Sequence, residues 1–489
     1  MLIIFTFALN AGLNFLLGLT VAAILGPALY GRFSIAFMAA TIATTLIFDW
    51  LRLSATRYYT ERARVEKPDV RATLNASYAA GSLILIAAAG AVLAFDLDVG
   101  LSRALVAATA FVAIGNGLFE FFAALLRARF RNGAYSALVI VKNTLAFAGM
   151  TAIGIAYHDP VLVMVMAGAS ALGATLMLWS KAADPHARLP DASRTQIGVY
   201  LAYGAPIVLA NIGYQAIVLV NRGAAAAHLD FAAAGRLSLA TDLTIRLILV
   251  VGAALDIFLF QVAVHKKATE GATAAQHQIA RNMLIILAVL TLLCLGYMAD
   301  LPAFAALVAP EKFRVDFAPL SLILAPGVTL FCLGQFCLNP IAQLEGKTGG
   351  ILFAAFATVA IDLALLWLAP QPLSLTAYAA IHSLSLAAGF FIILAVTFRW
   401  RAYFPPARDL GVIALAGAGA MAAMWPLRAL HPSLLALILV ALVGTLVFGG
   451  VLFVFDLGGF IRPALARIRF SRGRPEKGGA PPFCKGKRT

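Results

Sequence analysis

The sequence predicts an all-α polytopic membrane protein of about fourteen transmembrane helices, arranged as two parallel six-helix lobes followed by two further helices. Three observations carry that expectation. The chain is 62% hydrophobic and only 12% charged over 489 residues, more apolar surface than a soluble core could bury. Apolar runs long enough to cross roughly 30 Å of hydrocarbon recur from end to end, and they are continuous rather than alternating, which favours helices over a β-barrel. A part of the sequence also returns. Gly31-Arg32-Phe33-Ser34-Ile35-Ala36 recurs 204 positions later as Gly235-Arg236-Leu237-Ser238-Leu239-Ala240, and Asn10-Ala11-Gly12-Leu13-Asn14 is echoed by Asn211-Ile212-Gly213-Tyr214-Gln215 at a shift of 201.

Taken in order, the apolar runs place spans at roughly 2–25, 33–51, 73–95, 103–126, 135–157, 160–180, 198–220, 237–262, 279–299, 317–340, 349–369, 374–397, 410–428 and 433–456. The first has no Lys or Arg before its apolar core and no convincing small-residue cleavage site, so it is expected to remain as a helix rather than act as a signal peptide. Units covering 1–195 and 196–400 would hold six spans each. An even number gives both the same orientation, with a pseudo-axis along the membrane normal and a cleft between them. Pro405-Pro406 marks the joint before the last two spans, within 401–456. Residues 457–489, with Arg472, Arg474, Gly478, Gly479, Pro481 and Pro482, read as a disordered basic tail drawn to anionic lipid.

A net charge of +15 might suggest nucleic acid, but the basic residues lie between the spans. Of 37 Lys and Arg, 28 fall in one set of alternate connections, including Arg62, Arg64, Lys67, Arg127, Arg129, Lys181, Lys266 and the tail. Seven fall in the other set: Arg32, Arg103, Arg222, Arg236, Lys312, Arg314 and Arg428. The positive-inside bias therefore predicts cytoplasmic termini and an even span count. Lys142 and Arg246 remain inside spans.

A charge at the bilayer centre costs about 2.5–3.5 kcal/mol on insertion scales, so intramembrane polar groups are the candidates for function. Asn10 and Asn14 share one face of the first span; Asn211, Gln215 and Arg222 share one face of the seventh. Such amides serve either as interhelical hydrogen-bonding groups or as a cavity wall. Asp242 and Arg246 stand at i, i+4 in the eighth span, with Asp256 on nearly the same side. They are either a self-neutralising pair or, if that face lines the cleft, a cation for an anionic headgroup with acids to tune it. Asp49, Arg52 and Arg57 close the second span; Arg57 could simply snorkel, whereas a lobe-facing role is favoured for Asp49 and Arg52. Glu120 and Lys142, with Asn143, could pair with each other structurally, and Asp362 is alone in its apolar run.

Other features carry less. Cys294, Cys332, Cys337 and Cys484 lack a ligand spacing, and the histidines near span ends lack mutual spacing, so neither a metal nor another cofactor is expected. Gly346-Lys347-Thr348 resembles the end of a phosphate-binding loop, but Ile341 stands where its first glycine belongs. Asp96-Leu97-Asp98 resembles the paired acids with which membrane glycosyltransferases activate a lipid-linked donor, without a large domain for an acceptor.

The segment Gly26-Pro27-Ala28-Leu29-Tyr30-Gly31, followed by an apolar span ending Asp49-Trp50-Leu51-Arg52-Leu53-Ser54-Ala55-Thr56-Arg57-Tyr58-Tyr59, resembles the opening of bacterial polysaccharide biosynthesis proteins. These are lipid-linked oligosaccharide flippases of the multidrug/oligosaccharidyl-lipid/polysaccharide exporter superfamily. Trp50-Leu51 stands where that family has Gly-Leu, and Asn221-Arg222 where it has Asp-Arg. The resemblance implies two six-helix lobes that open alternately and carry an undecaprenyl-pyrophosphate-linked glycan to the outer leaflet of the bacterial inner membrane. It also implies a cationic cavity, for which Arg52, Arg57, Lys142, Arg222 and Arg246 are the choices, since guanidinium matches phosphate oxygens in a bidentate way. Asn10, Asn14, Asp49, Glu120, Asn211, Gln215 and Asp242 are the candidates for a polar cavity wall or ion coupling. Expected partners are the lipid-linked oligosaccharide, membrane lipids, glycosyltransferases and a polysaccharide polymerase, with no nucleic acid. The alternatives are a drug or cation antiporter on the same fold, which predicts an acid-dominated cavity, and a membrane glycosyltransferase or polymerase.

Overall fold

The structure is a computed structural model that describes residues 2–184 and 187–459; the predicted basic tail beyond Gly459, with Cys484, lies outside the described residues. All of the regular structure described is helical, and thirteen helical segments are long and apolar enough to cross a membrane. The first segment, Leu2–Tyr58, would rise about 85 Å if straight, far more than one bilayer crossing. It breaks at Gly26, whose φ of 70° and ψ of 173° are open to a residue without a side chain, and Pro27 then starts the next helix with its φ already set. The chain thus has fourteen crossing helices among the described residues: α1 (2–25), α2 (27–58), α3 (Pro68–Ala94), α4 (Arg103–Ala128), α5 (Asn132–Tyr157), α6 (Pro160–Met177), α7 (Arg194–His228), α8 (Phe231–Thr269), α9 (Ala272–Leu307), α10 (Arg314–Leu333), α11 (Gly349–Leu368), α12 (Leu375–Thr397), α13 (Ala407–Met424) and α14 (Leu434–Val454). α10 runs on through a wide π turn, Gly334–Leu338, next to Pro340, whose ring cannot donate to the regular ladder.

Several helices are longer than the apolar runs that announced them. α8 extends over Phe231–Thr269, where the apolar run covers 237–262. Hydropathy measures the hydrocarbon, whereas a helix continues into the headgroup layer, its backbone already paired.

The two membrane faces are built differently. On the arginine-poor face, α4, α6, α8, α12 and α14 each open with a side-chain cap, from Ser102, Asp159, Asp230, Ser374 and Ser433. Each cap accepts from one of the backbone N–H groups that the first turn leaves unpaired, worth about 1 kcal/mol. No helix starting on the arginine-rich face has such a cap among α3, α5, α7, α9, α11 and α13. On that face the connections before α3, after α4 and after α6 hold a cluster of ion pairs. Arg129, almost fully buried, donates to Glu61 at 2.8 Å, Arg64 pairs with both Glu61 and Asp184, and Tyr59 donates to Asp184 at 2.7 Å.

α1, α2, α4, α5 and α6 pack on one another, as do α8 to α12, while α7 packs on α11; α13 and α14 form a pair resting on α9. Between the two bundles, α1 and α2 face α7 and α8. The seam on the arginine-poor face lies at the repeated hexapeptide. A Cβ on Gly31 would sit 1.9 Å from the Phe231 carbonyl oxygen, and one on Gly235 would sit 2.0 Å from that of Pro27. Only hydrogen fits there, so the two backbones touch. One turn further in, the hydroxyls of Ser34 and Ser238, 204 positions apart and both buried, meet at 2.8 Å. Arg32 lies over the Phe231 ring and Arg236 pairs with Asp316 at 3.3 Å. Towards the arginine-rich face, Trp50 of α2 presses against Gly204 of α7, Tyr58 stacks on Tyr200, and Thr45 bonds Gln215.

Candidate functional site

Between these two contact zones, the bundles enclose a cavity of about 230 Å³. α5 brings Lys142, α7 brings Arg222, and α8 brings Asp242 and Arg246. Asn14 and Gly18 of α1, Tyr30, Ser34 and Thr41 of α2, Asn116 of α4 and Ser170 of α6 complete its polar wall. Counting rises from the helix ends, Arg222 lies about 9 Å inside the arginine-poor end of α7, and Asp242 and Arg246 about 16 and 22 Å inside that of α8. Asp242 and Arg246 also fall inside the apolar run 237–262 of α8, whereas Arg222 lies just past the end of the run 198–220 of α7.

Arg222 donates to Asp242 at 2.5 Å; the arginine is buried, and the carboxylate is about a quarter exposed to the cavity. Asp242 is thus neutralised by a residue of the neighbouring helix, so the i, i+4 reading that paired it with Arg246 is corrected. Helix azimuth placed the two on one face, but α7 presents a guanidinium to the carboxylate from across the gap. Arg246 reaches the other way and donates through Nη1 to the backbone oxygen of Asn14 at 2.6 Å. Gly18 makes room for it, since a Cβ there would lie 3.0 Å from that same nitrogen. Lys142 has the Asn143 amide oxygen at 3.4 Å and the Phe119 ring at 5.5 Å. Among the described residues, no carboxylate forms an ion pair with Lys142 or Arg246. The proposed Glu120–Lys142 pair is likewise not formed; Glu120 is half-buried outside the cavity wall. With three cations against one carboxylate among its lining residues, the cavity carries net positive charge.

The remaining expected residues sit elsewhere. Asn10 joins a cluster of amides, accepting from Asn143 at 2.6 Å and from Asn14 at 2.9 Å, so it ties α1 to α5 behind the cavity wall. Asp49 and Arg52 form a two-pronged pair with both contacts at 3.1 Å, and exposed Arg57 lies 4.2 Å from the Tyr203 ring. All three are near the arginine-rich end of the seam and do not line the cavity. Asn211 is half-buried on α7, and Gln215 is held by Thr45. Asp256 lines a separate gap of about 10 Å³ between α8, α9 and α10. Asp362, alone in its own run, accepts from the Asn221 amide at 2.9 Å on both oxygens, so its partner came from a helix 141 positions away. Asp96 pairs with Arg103 in an exposed loop, and Asp98 accepts from Gly100.

Sequence reasoning missed Asn116, Ser170, Tyr30 and Gly18. Asn116 carried a usable signal, as an amide within an apolar run. Tyr30 and Ser34 lie in or beside the repeated segment and were available from it.

The architecture is that of an all-helical, multi-pass membrane protein. No family model matches the sequence, and no curated protein sequence does. A solved structure of the lipid II flippase MurJ, in an inward closed conformation, superposes with a TM-score of 0.71 at 13% identity, covering 95% of this chain and 99% of that one. An inward-facing MATE multidrug-resistance transporter of the MOP superfamily superposes at 0.54 and 15% identity, over 81% of this chain and 94% of that one. At these identities the likeness is one of fold, and the chain has the MOP fold.

Proposed function

We propose that the protein is a transporter that moves an undecaprenyl-pyrophosphate-linked oligosaccharide across the inner membrane for surface or exported polysaccharide, by alternating access of two lobes, 1–195 and 196–400. The supporting observation is the net positive charge of the cavity between the bundles, where Lys142 and Arg246 have no carboxylate partner among the described residues. A diphosphate crossing hydrocarbon needs such partners, because an uncompensated anion there is costly. At about 230 Å³ the cavity is below the usual 300–1,000 Å³ of ligand sites, so substrate entry requires the bundles to part. The fold likeness to a lipid II flippase supports the same reading. An antiporter for organic cations would want free acids, and the cavity's one carboxylate is taken by Arg222. Glycosyltransferases and a polymerase are then the partners that make and use the cargo, with the termini in the cytoplasm.

Binding of undecaprenyl diphosphate to the purified chain tests this. Lys142→Gln and Arg246→Gln should each weaken it about tenfold, the size of one charge-assisted hydrogen bond, while the helical signal in circular dichroism stays unchanged. Unchanged binding in both variants contradicts the assignment.

A further inference from the structure

A second and larger hollow lies on the far side of α8 from the cavity. It is a groove of about 560 Å³ between α8, α9 and α14, with Met424 of α13 also in its lining. Its walls are apolar, with Leu247 and Val251 on one side and Ile438 and Ala441 on the other. Beside them, the exposed side chains of Leu434, Leu435, Leu442 and Leu446 on α14 mark a surface that faces lipid. One group does not belong in such a groove. The Asp300 carboxylate lines it, its Oδ1 is buried, and it makes no hydrogen bond or ion pair with any described residue.

The depth of Asp300 is informative. It stands seven residues before the end of α9 at Leu307, about 10 Å below the arginine-poor end of that helix. At that end, Trp425 follows Met424 directly and Arg428 comes three residues later, with its guanidinium 3.9 Å from the Trp425 ring centre. Such amphipathic residues mark the level of the headgroups. The groove therefore combines an apolar channel open to acyl chains with a single acceptor charge at the boundary between headgroup and chain.

We propose that this groove is a binding site for an aminophospholipid, whose acyl chains fill the apolar walls and whose ethanolamine ammonium donates to Asp300. An anionic diphosphate lipid would be repelled by the carboxylate, and phosphatidylglycerol offers no cation. Phosphatidylcholine carries a cation without an N–H donor. The site is independent of the transport reading, since it uses neither Lys142, Arg222 nor Arg246, although α8 is shared.

Native mass spectrometry of the full chain, in nanodiscs of equal parts phosphatidylethanolamine, phosphatidylglycerol and phosphatidylcholine, tests it. The expected result is one phosphatidylethanolamine retained per chain. Its preference over the other two should fall about tenfold in Asp300→Asn, the loss of one charge-assisted hydrogen bond, and stay unchanged in Asp96→Asn, which alters an exposed loop. Equal retention of the three lipids by the unaltered chain overturns the proposal. So does an undiminished preference in Asp300→Asn, or capture of a polyprenyl lipid in place of the phospholipid.

Discussion

The two halves of the chain carry matching hexapeptides, alike at four of six positions, and set their Gly and Ser against each other, yet they contribute unequal chemistry to the space behind them. Gly31 and Gly235 make one backbone contact from its two sides, and Ser34 meets Ser238 across it. Behind that seam the first half supplies one cation, Lys142, with neutral amides and hydroxyls. The second half supplies Arg222, Asp242 and Arg246. The matching residues thus make the joint from both sides, and the charge behind it comes mostly from the second half. In such an arrangement, seam residues should tolerate change poorly in either half, whereas charge changes should act only where the charge resides.

The largest expected effect is at the ion pair. Arg222→Ala leaves Asp242 in a low-dielectric wall without its partner and should destabilise the protein by about 3–5 kcal/mol, seen as a lower thermal midpoint in detergent. The double variant with Asp242→Ala should recover most of that loss, because neither charge is then orphaned. A double variant no more stable than the single one would mean that the pair is not what holds these residues.

Next comes the seam. Gly31→Ala and Gly235→Ala each force a methyl group onto a carbonyl oxygen that cannot move without its helix, and each should cost about 1–3 kcal/mol or more. Gly12→Ala, with nothing within 4 Å of its added carbon, should instead be neutral or stabilising by up to about 1 kcal/mol. Similar midpoints for Gly31→Ala and Gly12→Ala would break the symmetry argument. Smaller still, Ser34→Ala and Ser238→Ala should each lose about 1 kcal/mol, and the double variant less than their sum, since one hydrogen bond is removed in each case.

The smallest effect concerns the arginine-rich face of the first half. Arg129 and Arg64 donate to Glu61 and hold its carboxyl below the ordinary value of 4.5. A carboxyl lowered in the folded state adds stability above its unfolded pKa and loses it as pH falls through the folded one. Stability should therefore decline below about pH 4.5 more gently in Glu61→Gln than in the unaltered chain. The gain is small because Glu61 is more than half exposed. Parallel pH profiles would remove Glu61 from this face's acid sensitivity.

Much of this was legible before any coordinates. The helical membrane class follows from the length and continuity of apolar runs, and Lys142, Arg222 and Arg246 drew notice as cations in or beside them. The repeated hexapeptide was visible too, although not that its copies touch. Pairings were not legible. Asp242 and Arg246 share a helix face, but a carboxylate takes whichever donor the neighbouring helix brings, and here that is Arg222 on α7. Asp362 and Asn221 meet for the same reason, through packing that local spacing does not encode. Arg52 and Arg57 drew notice by charge and motif, yet their helix runs on past the cavity to the arginine-rich end. Asn116 and Ser170 lie outside the repeated segments that single out Asn10, Asn14, Asn211 and Gln215.

The measurement that bears most directly on the transport account is the leaflet in which undecaprenyl-linked glycans sit in cells lacking this protein. The account predicts that they accumulate on the cytoplasmic side and that polysaccharide is lost from the surface. Normal arrival in the outer leaflet, with cells that only become sensitive to drugs, would contradict it and turn the cavity's positive charge into a feature without a cargo.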